Sequence, residues 1–170
     1  DTLGVDPFTA DDQTLRAALG DVVIDPRGLG RDDWLDLLMT HRLQPAFKAE
    51  DMLAVVDYPA SQSALARVGV DAGGHPVAQR FELFLGPLEL ANGYHELLDA
   101  NEQGMRFDND ARVREARGHA TPPVDARLLA ALASGLQPCA GVALGMDRLL
   151  MAMLGTTRIA DVLAFAFPRA

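Results

Sequence analysis

Gly141-Val142-Ala143-Leu144-Gly145-Met146-Asp147-Arg148-Leu149-Leu150 is the stretch whose reading decides the fold. Two glycines stand among small apolar residues, and Asp147-Arg148 follows directly. The pattern predicts a strand running into a helix. Met146, Leu149, Leu150, Met153 and Leu154 recur at helical spacing and form one apolar stripe. Arg148 falls in the first turn, off that stripe and close to the glycines. Glycine has no Cβ, so a flat ligand can lie against the backbone there, and a guanidinium beside it suits a phosphate oxygen. The same residues serve equally well as a glycine-relieved strand and a helix with a surface arginine.

Working outward from this segment, composition narrows the class. The 170 residues suffice for one domain with a substantial core. Apolar residues make up 49% and charged residues 23%, as in ordinary globular chains. The net charge of −9 argues against a broad nucleic-acid surface, which needs clustered Lys and Arg. A single cysteine, Cys139, excludes an internal disulfide framework and fits a reducing compartment such as the cytoplasm. The four histidines are scattered, without zinc-ligand spacing. No apolar run approaches the ~20 residues of a membrane helix, so no membrane partner is expected. The chain opens on Asp rather than Met, which suggests a piece of a longer protein.

The segment Leu88-Glu89-Leu90-Ala91-Asn92-Gly93-Tyr94-His95-Glu96 carries the second signal. It reads as a strand, yet Glu89, Asn92 and Glu96 interrupt its apolar pattern. Buried carboxylates are costly unless they bind something. Glu89 and Glu96 are seven apart, so a regular strand would point them to opposite faces. A bulge at Gly93 would bring them to one face. Two carboxylates and an amide in one cleft suit an amine, a Mg²⁺ ion or an adenine amino group. The alternative is a surface strand with solvated acids.

The rest frames these segments. Residues 1–50 read as two short helices in a packing or lid role. Thr9 caps the first, and Asp32 or Asp33 caps the second before Pro45 stops it. Met52–Pro59 reads as a buried strand, and Val68–Val77 as an exposed, mobile connector. Residues 80–85 alternate as a strand. Asp99-Ala100-Asn101-Glu102 looks like a capping box opening a polar surface helix to about Arg117. Asp125 caps a helix whose Leu128, Leu129 and Leu132 pack inward. Residues 159–168 read as a closing strand or extended tail.

Gly-Val-Ala-Leu-Gly-Met-Asp-Arg at 141–148 resembles motif 3 of the class II aminoacyl-tRNA synthetases. Tyr58-Pro59-Ala60-Ser61-Gln62-Ser63-Ala64-Leu65-Ala66, Glu89 through Leu97, and Arg106-Phe107 narrow the resemblance to the lysine-type group, and within it to the elongation factor P–lysine ligase family. The resemblance implies an α+β fold, an antiparallel sheet flanked by helices. Strands near 52–57, 80–85, 88–96 and 139–145 are expected, with the 146–154 helix packed on them. It also implies ATP- and Mg²⁺-dependent activation of lysine, (R)-β-lysine by preference, as the adenylate. The acyl group then passes to a lysine side chain of elongation factor P, not to tRNA.

Carried over by resemblance, Glu89 and Arg148 are catalytic, and Glu89, Leu90, Gly145 and Arg148 contact ATP. Glu96, Asn92 and Ala143 form the substrate pocket, and Glu89 with Asn92 holds Mg²⁺. Ala143 stands where lysyl-tRNA synthetases carry glycine, which favours the ligase. The arginine-bearing hairpin of motif 2 and the motif 1 interface are absent from these residues. Residues 1–170 are therefore expected to be the C-terminal portion of a catalytic domain, inactive alone. The full-length enzyme is expected to be a homodimer. Two other readings remain: a fragment of a lysyl-tRNA synthetase, and a non-catalytic synthetase-like binding module. Upstream sequence separates them, through a motif 2 arginine or an anticodon-binding barrel.

Overall fold

The computed structural model describes residues 2–167. Its centre is an open antiparallel sheet of five strands: β1 (Met52–Pro59), β2 (Val68–Val70), β3 (Pro76–Leu85), β4 (Leu88–His95) and β5 (Ala140–Leu144). The order is β1-β3-β4-β5, and β2 pairs with the opening of β3, Val68 opposite Ala78. Gly86, with φ at +53°, makes the tight β3–β4 connection between Leu85 and Pro87. All pairings are antiparallel, so the sheet is the α+β type expected from the sequence. Its buried residues include Val77, Ala78, Phe84, Leu90 and Ala91.

Among the described residues, five α-helices accompany the sheet. α1 (Asp12–Ala18) and α2 (Arg31–Leu38) build a small core of their own from Leu15, Leu19, Trp34 and Leu38. Both caps differ from the sequence expectation. Asp11, not Thr9, caps α1, accepting from the Thr14 amide at 2.8 Å, while Thr9 donates to Asp6. Helix α2 starts after Gly30. Asp33 sits in its first turn and reaches back to the Gly30 amide at 2.8 Å, so it satisfies a free donor from inside the helix. A π-turn (Met39–Leu43) and a short 3₁₀ turn (Gln44–Ala46) then lead the chain to the sheet.

Three further expectations are corrected. Residues 68–77 hold strand β2, and His75 stacks on Phe8 with ring centroids 4.9 Å apart, so the connector is anchored. β1 is half exposed, with Val56 open to solvent, because it forms one border of the sheet. Residues 159–161 form a 3₁₀ turn, and no strand forms in the tail among the described residues. Pro168 lies outside them.

α3 (Ala100–Ala116) starts at Asp99, whose carboxylate accepts from the Asn101 and Glu102 amides. Glu102 does not complete a capping box; it pairs with Arg106 four residues on. Arg106 also donates to the Ala64 and Ala66 carbonyls at 2.9 and 2.8 Å, tying α3 to the segment after β1. α4 (Ala126–Ala133) is capped by Asp125 as expected, although its leucines are only half buried. α5 (Met146–Leu154) ends at Gly155, whose φ of +65° is the left-handed conformation of a helix stop. The apolar stripe of α5 faces outward: Met146, Leu150, Met153 and Leu154 are exposed and Met151 is buried.

Candidate active site

The site stands on one face of the sheet. In an antiparallel ladder, residues directly opposite each other point to the same side. Arg80 faces Tyr94, Glu82 faces Asn92, Asn92 faces Ala143, and Tyr94 faces Gly141. These residues share one face. Glu96 follows two residues after Tyr94, and its carboxylate reaches back over Gly141.

Glu89 joins them through a bulge, which lies earlier than Gly93. The register of β4 on β3 passes from Glu89 opposite Phe84 to Ala91 opposite Leu83, so Leu90 is the extra residue. One inserted residue reverses the alternation. Glu89, Asn92 and Glu96 thereby share a face although Glu89 and Glu96 are an odd number apart. Gly93 has another task. A Cβ there would meet a ring carbon of Phe81 at 2.5 Å and the Gly141 carbonyl oxygen at 2.9 Å, so glycine permits this strand packing.

The start of α5 locks the bulge. The Gly145 amide donates to the Leu90 carbonyl at 2.8 Å, and Arg148 Nη1 donates to the Glu89 carbonyl at 3.0 Å. Arg148 also pairs with the Glu89 carboxylate at 3.3 Å. Its side chain remains about half exposed, so the guanidinium can meet a ligand. Gly145 leaves open floor beside it: a Cβ there would meet its nearest neighbours at 3.5 Å, an ordinary contact.

Four residues not singled out from sequence complete this face. The Arg80 guanidinium stacks over the Tyr58 ring at 4.3 Å and lies 5.9 Å from the Tyr94 ring. It also pairs with Glu82 and donates to the Gln62 carbonyl. Burial, and then the Glu82 carboxylate, push the Tyr58 phenol far above its ordinary range, so it stays protonated. Tyr58 Oη and Arg80 Nε are buried and meet no hydrogen-bond partner among the described residues. A cavity of about 690 Å³ opens here, lined by Tyr58, Arg80, Glu82 and Glu89 from the sheet and by Asp36 and Met39 from the helical segment. The alternation Arg80-Phe81-Glu82 was visible in sequence, but only the strand pairing shows which face it joins.

The donor set bears on a metal. Among the described residues, no three His, Cys, Asp or Glu side chains gather into a cage. Glu89 and Asn92 offer hard oxygen donors on one face. That suits Mg²⁺, which is commonly held by one or two carboxylates with water and substrate phosphates completing the shell.

The family model described as "tRNA synthetases class II (D, K and N)" matches residues 33–169, and the chain belongs to that family. At finer grain, the chain is 45% identical over 172 residues to the elongation factor P–(R)-β-lysine ligase of Salmonella gallinarum. The ligases of the same description from Salmonella paratyphi B and Salmonella heidelberg are also 45% identical. Each alignment covers 99% of this chain and 52% of the relative, so the chain spans about half the length of the curated relatives it matches. No helix among the described residues is long and apolar enough to cross a membrane.

Proposed function

We propose that the protein carrying this chain activates lysine, with (R)-β-lysine preferred, as the adenylate. It then transfers the acyl group to a lysine side chain of elongation factor P. The observation that carries this reading is the single face holding Glu89, Asn92 and Glu96, with Ala143 directly opposite Asn92 and Arg148 docked on Glu89. Acid at one end and a cation at the other suit a substrate ammonium at Glu96 and a triphosphate at Arg148. Asn92, between them, would be within reach of both metal and substrate. The relatives' name and the Ala143 methyl group favour the ligase over a tRNA-charging enzyme.

In this reading the nucleotide lies against Gly145 and the Leu90 backbone. Glu89 and Asn92 are the residues that would hold Mg²⁺, which would supply charge neutralisation for the phosphates. Arg148 binds the phosphates through its remaining guanidinium N–H groups, while Nη1 keeps the bulge in place. Glu96 fixes the amine, and Ala143 shapes the pocket around the carbon chain. Residues 1–170 are the C-terminal portion of the catalytic domain. They lack a motif 2 arginine for the α-phosphate and are not competent alone. The whole enzyme is a cytoplasmic homodimer that does not act on tRNA.

The test is lysine-dependent ATP–pyrophosphate exchange by the full natural gene product and by residues 1–170. The full protein is expected to exchange with (R)-β-lysine more efficiently than with α-lysine, and the 170-residue chain not at all. Exchange by the short chain would contradict the division of the site proposed here. Exchange with α-lysine alone, coupled to tRNA charging, would favour the synthetase.

A further inference from the structure

The three glycines around the site do different work. Gly145 has room for a Cβ, and Gly93 is closed by the Phe81 ring and by backbone. Gly141 is closed by a catalytic-face side chain. A Cβ built on Gly141 would fall on Glu96 Oε1, well inside any allowed contact, with Glu96 Cδ at 3.3 Å. The carboxylate therefore rests on the bare Cα of Gly141. From sequence, Gly141 belongs to a floor for a ligand; in the structure, the protein's own carboxylate covers it.

The Glu96 backbone is held from both sides. Its amide donates to the Cys139 carbonyl at 3.0 Å, and it forms an isolated bridge with Ala66 on the other edge. The main chain cannot give way, whereas the carboxylate is the far end of a flexible side chain. A Cβ at 141 is thus accommodated by turning the Glu96 carboxylate away, at little cost to the fold.

We infer that Gly141 is a positioning residue. Its missing side chain sets where the Glu96 carboxylate stands, and hence where a substrate ammonium is held. This rests on the amine-binding role proposed for Glu96. Alanine at 141 moves the carboxylate off its site without touching Gly145, Leu90 or Arg148, so the effect falls on the amine substrate alone.

The experiment compares wild type, Gly141→Ala, Glu96→Asp and the double variant in the full natural gene product, by pyrophosphate exchange. Misplacing a charge-assisted bond is expected to raise the KM for the amino acid by about tenfold or more, with the KM for ATP within about twofold. Aspartate is one methylene shorter and leaves room for the new Cβ. The double variant is therefore expected to be no worse than Gly141→Ala alone, a non-additive result. An unchanged amino-acid KM in Gly141→Ala, equal loss for ATP, or additive effects would overturn the inference. If wild type exchanges with no lysine isomer, the functional reading fails instead. The ¹³C carboxyl resonance of Glu96 then decides: a shift between wild type and Gly141→Ala supports the positioning role, and an unchanged resonance overturns it.

Discussion

Arg148→Lys tests the proposed phosphate-binding end of the site. Arg148 spends Nη1 on Glu89, at 3.0 Å to the carbonyl and 3.3 Å to the carboxylate, and keeps the rest of its fork for a ligand. A lysine has one ammonium on a flexible stem. It can hold the β4 bulge or a phosphate oxygen, but it lacks the planar fork that does both. One charge-assisted bond is worth about 1.5–3 kcal/mol, so kcat/KM for ATP is expected to fall roughly 10- to 150-fold. Stability should change little, since an ion pair this exposed contributes about 0–1 kcal/mol. The assay is pyrophosphate exchange with ATP as the varied substrate, beside a thermal melt of the same sample. An unchanged kcat/KM for ATP would refute the reasoning. So would a loss matched by an equal loss of folded protein, because the arginine would then be structural only.

Three further outcomes are expected. Ala143→Gly removes the one methyl group opposite Asn92 and should move isomer preference toward α-lysine; an unchanged preference in adenylate formation would remove Ala143 as a specificity residue. Gly93→Ala drives a Cβ into the Phe81 ring and the Gly141 carbonyl, and overpacking of this kind costs about 1–3 kcal/mol, read as a lower denaturant midpoint; an unchanged midpoint contradicts it. Asp33, hydrogen-bonded to Arg117 at 2.6 and 2.9 Å, has its pKa lowered chiefly by that guanidinium. Its contribution to stability is complete above the ordinary carboxylate pKa of about 3.9 and is lost as pH falls through the lower folded value. Asp33→Asn keeps an acceptor for the Gly30 amide but should flatten the fall of melting temperature below about pH 4; an identical acid limb would contradict the pair's role.

The sequence made the sheet legible because its strands carry strong local signals. Phe81, Leu83 and Leu85 alternate with Arg80, Glu82 and Phe84, and Gly86-Pro87 marks the turn into β4. The strand at 139–145 was legible through the family resemblance, and the structure pairs it with 91–95 of β4. Bulge position was not legible. It depends on which carbonyls the start of α5 can satisfy, and Gly145 and Arg148 take those of Leu90 and Glu89. Thr9 and Asp11 are both acceptable caps locally, and Asp6 decides between them by taking the Thr9 hydroxyl. The Arg80–Tyr58 stack and the Glu96–Gly141 contact join residues distant in sequence, so neither leaves a local trace.

In the proposed function this face delivers an activated lysine to a protein. The most direct measurement is transfer of radiolabelled (R)-β-lysine by the full natural gene product, with purified elongation factor P and bulk tRNA offered together, and the product located by mass spectrometry. Label is expected on one lysine side chain of elongation factor P, dependent on ATP and Mg²⁺ and reduced in Glu96→Gln at limiting (R)-β-lysine. Label on tRNA with none on elongation factor P would contradict it.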